Sequence, residues 1–148
     1  MSQLPVKIKK LNQKAIIPSY GTDQAAGLDL TAISESTHVD GVIAYTEYGT
    51  GLAIELEPGY CGLILPRSSI SSSTTLLLGN SVGLLDSDYR GEIKLRFKNS
   101  SFGAGKKYKV GDRIGQLLII PYPKIKLEEV QELDDTTRGT GGFGSTNK

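Results

Sequence analysis

The chain is short of most residues that build conventional catalytic and metal centres. A single cysteine (Cys61) excludes a disulfide framework. Together with a single histidine (His38) it argues against a Cys/His zinc site. A Ser-His-Asp triad is excluded unless His38 serves it. Charge of one sign is also lacking. Seventeen basic residues face sixteen acidic ones, a formal net charge of +1. That argues against a sequence-independent nucleic-acid or membrane-surface partner, either of which calls for a basic excess. Tryptophan is absent, and no apolar run approaches the roughly 18 residues of a membrane span. The opening residues MSQLPVKIKK hold no apolar signal core. The chain therefore reads as soluble, with the reducing cytoplasm as its default compartment. Its 148 residues, 38% hydrophobic and 22% charged, fit one domain with a core of its own.

What is present is alternation and turns. Glu92-Ile93-Lys94-Leu95-Arg96-Phe97-Lys98 places apolar groups on one face and charges on the other, as a half-buried strand does. Leu52, Ile54 and Leu56 repeat the pattern, and Val6 and Ile8 begin the chain the same way. Tyr60 to Leu65 is a largely apolar run. Arg113 to Ile120 is apolar at almost every position, as expected of a strand covered on both faces. Turn signals at Pro18-Ser19-Tyr20-Gly21, Asp40-Gly41, Pro58-Gly59, Asp88-Tyr89-Arg90-Gly91 and Gly111-Asp112 favour an all-β sandwich or barrel over alternating βα units. Leu127 to Leu133 suits either two helical turns or an extended segment. Ser68 to Thr75 reads as a loop or one short turn. The last eleven residues, from Arg138, hold four glycines and one large apolar side chain, too little to order them unaided. The domain is thus expected over 1–137, with a flexible glycine-rich arm over 138–148.

Familiar motifs mostly fail. No G-x-x-x-x-G-K-[ST] loop or H-E-x-x-H is present. Gly139-Thr140-Gly141-Gly142-Phe143-Gly144 matches G-x-G-x-x-G without the flanking strand, helix and later acid of a dinucleotide site. Five other segments carry candidate chemistry. Asp29, between Leu28 and Leu30, is either a strand-end residue bonding nearby backbone or a polar site residue. Pro66-Arg67-Ser68-Ser69 offers a planar fork and hydroxyls that suit either a surface ion pair or phosphate oxygens. The segment Gly79 to Gly91 gathers an amide (Asn80), two carboxylates (Asp86, Asp88) and a ring (Tyr89) around an expected hairpin. A carboxylate there can act as general base toward water. Gln116, in a buried strand, must find a partner, structural or substrate. In the arm, Arg138 suits a terminal phosphate and Phe143 suits stacking on a base.

In this order the five segments resemble the five motifs of the trimeric dUTPases (deoxyuridine 5'-triphosphate nucleotidohydrolases). The resemblance runs from about Gln24 to Thr146. It is strongest in Gly83-Leu-Leu-Asp-Ser-Asp-Tyr-Arg-Gly91 and Arg138-Gly-Thr-Gly-Gly-Phe-Gly144, with Gly111-Asp-Arg-Ile-Gly-Gln116 between them. It implies a jelly-roll-like β-barrel or sandwich of the β-clip type, assembled as a homotrimer with active sites at subunit interfaces. The implied reaction is Mg2+-assisted attack of water on the α-phosphorus of dUTP. It yields dUMP and pyrophosphate, limiting uracil in DNA and supplying dUMP for thymidylate synthesis. By the same resemblance Asp86 is the catalytic base. Asn80, Gly83, Leu84, Leu85, Tyr89, Lys94 and Phe143 hold uracil and deoxyribose. Arg67, Ser68, Ser69, Gln116, Arg138, Gly144 and Ser145 hold phosphates, and Asp29 reaches the metal through water. Two other readings are weighed: a dCTP deaminase-like enzyme and a non-catalytic, nucleotide-responsive trimeric regulator. The deaminase needs a base near C4, usually a glutamate, and the hairpin aspartate and Arg138 speak against it. Against the regulator, no position expected to act is missing. Residues 37–50 match no motif and receive no role. His38 is expected exposed and Cys61 buried.

Overall fold

The computed structural model describes residues 4–100 and 105–142. Eleven strands run in chain order: β1 (Lys7–Lys10), β2 (Ser19–Tyr20), β3 (Leu28–Thr31), β4 (Ser34–Asp40), β5 (Ile43–Gly49), β6 (Leu52–Glu55), β7 (Tyr60–Leu65), β8 (Leu76–Leu78), β9 (Gly83–Leu85), β10 (Lys94–Asn99) and β11 (Arg113–Pro121). One helical turn, α1 (Ile70–Ser73), lies between β7 and β8. It stays short because its hydroxyls turn back on the backbone: Ser73 donates to the Ser69 carbonyl and Thr74 to that of Ile70, both at 2.7 Å. The expected loop or short turn over Ser68 to Thr75 is therefore a turn. Leu127 to Leu133 forms neither helix nor strand, and its large apolar side chains are exposed.

Two sheets make the sandwich, ordered β4-β5-β10-β8 and β2-β3-β11-β7-β9, with β1 and β6 as a separate antiparallel pair. All the pairings are antiparallel. The sheets do not close into a barrel, so the molecule is a jelly-roll-like sandwich. β10 shows why alternation specifies a face: Leu95 and Phe97 are buried while Lys94, Arg96 and Lys98 stay outside. The core draws Leu30, Ile64, Ile114 and Leu117 from one sheet and Tyr48, Leu78, Leu95 and Phe97 from the other. At Gly115, beside a bulge in β11, there is no room for a side chain; a Cβ there would meet Leu95 Cδ2 at 2.5 Å and the Leu65 carbonyl oxygen at 3.0 Å. Tyr48, Phe97 and Tyr108 pack edge to face. The Tyr48 hydroxyl donates to the Tyr108 carbonyl at 2.9 Å, and burial pushes its pKa up to about 12.

The stretch without a motif, 37–50, lies mostly in the β4–β5 hairpin, whose β5 strand also pairs with β10 from Thr46 to Gly49. Asp40 pairs with Ile43 across a two-residue turn opened by Gly41 at φ +57°. His38 is exposed and Cys61 buried, as expected. Among the described residues regular structure ends at Pro121, and no helix is long and apolar enough to cross a membrane.

Candidate functional site

The strands flanking the expected hairpin over Asn80 to Gly91, β8 and β10, pair antiparallel, and Gly79 N–H donates to the Arg96 carbonyl at 2.8 Å, but β9 within it turns to the other sheet. β8 belongs to one sheet, where it pairs with β10; β9 belongs to the other, where it pairs with β7. The chain changes sheets through Gly79-Asn80-Ser81-Val82, and that crossing leaves a gap no ladder fills. The crossing is tight. Ser81 N–H donates to the Leu78 carbonyl at 3.0 Å and Val82 N–H to that of Asn80 at 2.6 Å. Ser81 sits at φ +62°, the only non-glycine at positive φ among the described residues. The gap is a cleft of about 530 Å³, a volume suited to a small organic ligand.

Asn80, Gly83, Leu84, Leu85, Asp86, Tyr89 and Lys94 all line it. Close approach needs Gly83, where a Cβ would meet Ile64 Cβ at 3.1 Å and Asn80 Nδ2 at 3.5 Å. Asp86 follows β9 directly and is exposed, its carbonyl accepting from Tyr89 N–H at 3.1 Å. Arg90 braces the turn by donating to the Ser87 and Tyr89 carbonyls at 2.7 and 3.1 Å. The Tyr89 ring folds over Gly91, and its hydroxyl donates to the Glu92 carbonyl at 3.1 Å. Any Cβ at position 91 would overlap that ring.

Sequence reasoning missed the outer wall of the cleft. Tyr45, Glu92, Arg96 and Lys98 also line it. Behind them Glu47, buried on β5, takes Lys94 Nζ on Oε1 at 2.9 Å and Arg96 Nε on Oε2 at 2.8 Å. The Lys94 hydrogen bond holds the Glu47 carboxyl below its ordinary 4.5 despite the opposing effect of burial, and Glu47 in turn raises the pKa of Lys94. The sequence offers one signal, an acid in a β-rich stretch. Its partners depend on register (Arg96 lies opposite Glu47), which the sequence does not state.

A second group of site candidates lies elsewhere on the chain. Asp29 pairs with Gln116 between β3 and β11, and Gln116 with Leu65 between β11 and β7. Gln116 Nε2 donates to Asp29 Oδ1 at 3.3 Å, and Arg113 Nη1 donates to Oδ2 at 2.8 Å. Arg67, just past β7, donates to the Arg113 carbonyl at 3.2 Å. Gly27 makes room for Gln116, since a Cβ there would meet Gln116 Cβ at 3.1 Å. Gln116 has the partner its burial required. Arg113, to which the sequence assigns no role, links the group together. Ser68 is exposed and Ser69 caps α1 without a side-chain bond. None of Asp29, Arg67 or Gln116 lines the cleft. Arg138 joins neither group; its Nε donates to the Gly141 carbonyl at 2.9 Å. Phe143, Gly144 and Ser145 lie outside the described residues.

Among the described residues no three His, Cys, Asp or Glu side chains gather to hold a metal. Asp29 nevertheless keeps acceptor capacity beyond its two donors. That suits a hydrated cation carried in by a ligand better than a cage built by the protein.

The chain is thus a jelly-roll-like sandwich with an exposed carboxylate, an amide and aromatic rings lining one cleft at a sheet crossing. The same fold occurs in the dUTPase of Staphylococcus bacteriophage 80alpha, solved as a point mutant with dUpNHpp. It is 25% identical, with a TM-score of 0.80 over 97% of this chain and 99% of that one. A second likeness, in fold alone, is a mutant dUTPase of phage phi11 of S. aureus (22% identity, TM-score 0.74, 89% and 100% covered), whose structure concerns the coordination of a structural Mg(II) ion. A deoxyuridine 5'-triphosphate nucleotidohydrolase of Nautilia profundicola is 46% identical over 98% of this chain and 100% of its own length. The family model described as dUTPase matches residues 13–147. The chain belongs to the dUTPase family.

Proposed function

We infer that the chain is a dUTP diphosphatase, which cleaves dUTP into dUMP and pyrophosphate. The observation that carries this reading is the cleft itself: six of the seven residues expected to hold uracil and deoxyribose share one hollow with Asp86, and the seventh, Phe143, is outside the described residues. Asn80 and the backbone of the sheet crossing present donors and acceptors to the uracil edge. Cytosine brings a donor where uracil brings an acceptor, which leaves buried polar groups unpaired. Tyr89, seated on Gly91, lies under the deoxyribose and leaves no room for a ribose 2'-hydroxyl. Asp86 orients a water and takes its proton as the oxygen attacks the α-phosphorus; pyrophosphate leaves.

The triphosphate needs cations that the Asp86 side of the cleft does not supply. Arg67, Ser68, Ser69 and Gln116 supply donors for it. Within one chain they stand apart from the cleft, which supports a homotrimer whose sites combine the cleft of one subunit with the Asp29–Arg113–Arg67 group of another. Arg138, Gly144, Ser145 and Phe143 then close the site as the arm folds over bound nucleotide. Mg2+ bound to the triphosphate would supply charge neutralisation. Asp29 would hold it through water, with Arg113 and Gln116 orienting the carboxylate.

The test is pyrophosphate release from dUTP, dCTP, dTTP and UTP, with and without Mg2+. Release from dUTP alone, dependent on Mg2+, is expected. Ammonia from dCTP, or tight nucleotide binding without turnover, would replace this reading with the deaminase or the regulator.

A further inference from the structure

We propose that Glu47 is a positioning residue of the cleft. It holds the Lys94 and Arg96 cations back on the sheet and so denies them to the triphosphate, leaving that wall to the nucleoside. The inference rests on the reading of the cleft as the deoxyuridine site. The problem it addresses is one of charge. Lys94, Arg96 and Lys98 all border the cleft, and the most highly charged part of the substrate is not the part that belongs there. Free cations on this wall would draw the triphosphate in backwards, because a charge-assisted bond to phosphate is stronger than one to a neutral base edge.

The structure shows how the charges of two of the three are balanced on side chains that stay partly exposed. Glu47 is 8% exposed and lies opposite Arg96 in the β5–β10 register. It gives one oxygen to each cation, at 2.9 Å to Lys94 and 2.8 Å to Arg96. The Arg96 guanidinium is fixed further, 4.9 Å above the Tyr45 ring, and His38 stacks on Tyr45 at 4.8 Å. Lys94 is held from its other side by Glu92 Oε2 at 3.8 Å. Glu92 is itself anchored, since its Oε1 accepts from Gly51 N–H at 2.7 Å and its carbonyl from the Tyr89 hydroxyl. The clamp and the sugar platform are thus joined through one residue. Specificity here comes from removing an attraction for the wrong pose.

Inorganic tripolyphosphate is the probe, used as an inhibitor of dUTP turnover by the intact enzyme. Glu47→Gln keeps the shape of the side chain but cannot balance two cations. It is expected to tighten competitive inhibition by tripolyphosphate about tenfold, raise KM for dUTP by a similar factor and leave kcat unchanged. Glu47→Asp, too short to reach both cations, falls between it and the parent. Adding Lys94→Ala and Arg96→Ala to Glu47→Gln returns tripolyphosphate inhibition to the parent level, which a merely structural role of Glu47 would not produce. If Glu47→Gln does not fold, Glu47→Asp alone decides the matter. A folded variant with unchanged tripolyphosphate inhibition overturns the proposal. A parent enzyme that does not hydrolyse dUTP overturns the underlying reading instead.

Discussion

The cleft and the Asp29–Arg113–Arg67 group are built on opposite plans. All but two of the cleft's lining residues come from one continuous stretch, Leu78 to Lys98, and its mouth is left open by a change of sheets. The second group is assembled from β3, β11 and the residues just past β7, distant in sequence; Asp29 is paired with Arg113 and bonded by Gln116, and Arg67 donates to the Arg113 carbonyl. One region is a hollow with an exposed carboxylate; the other is a braced set of donors, of which Arg67 and Arg113 border a smaller hollow of about 380 Å³. Their contrast amounts to a division of labour. Under the proposed function the local segment recognises and attacks, while the non-local one holds charge.

That division can be challenged at either end. The largest effect is expected at Asp86. Asp86→Asn keeps the shape and polarity of the cleft but removes the base, so kcat falls by about a thousandfold while nucleotide affinity, read by calorimetry, is retained. Unchanged turnover would remove Asp86 from the chemistry. A smaller effect is expected at Gly91. Gly91→Ala drives a Cβ into the Tyr89 ring, which must leave its seat on position 91. KM for dUTP then rises about tenfold, with discrimination against UTP weakened, because misplacing one positioning group costs on that order. Equal kinetics in the variant would mean that the ring carries no part of sugar recognition.

The smallest effect concerns stability. The folded carboxyl of Glu47 titrates below its ordinary 4.5, held there first by Lys94. A lowered folded value means that the clamp contributes stability fully above pH 4.5 and loses it as pH falls through the depressed value. Thermal midpoints of the parent and of Glu47→Gln are therefore expected to differ at pH 7 and to converge as the pH drops below 4.5. A gap that stays constant down to strongly acid pH would mean the carboxyl is not held low by its cations.

Much of the molecule is legible in the sequence because alternation and turn residues are local signals. β10, β11 and the Asp40-Gly41 turn follow directly from side-chain period and glycine chemistry. The partner of Gln116 is foreseeable as a need, though not as Asp29, since burial demands a bond without naming the donor or acceptor. The sheet change at Asn80 is hidden for a physical reason. A tight turn between two short apolar strands looks the same whether the strands pair with each other or with separate neighbours. Glu47 is hidden for the same reason, because its meaning lies in register with Arg96. Segment 127–133 is ambiguous in sequence, and the exposed, unpaired course it takes buries too little apolar surface to choose a regular form.

The division of labour has one direct test. Asp86→Asn disables the cleft, and Arg67→Ala combined with Gln116→Ala disables the charge-holding group; each variant alone should be nearly inactive. When the two chains are co-expressed and mixed oligomers are purified by distinguishable tags, dUTP turnover should reappear, because some sites unite an intact cleft with an intact group from another subunit. Mixed oligomers as inactive as either variant alone would contradict a site shared between chains.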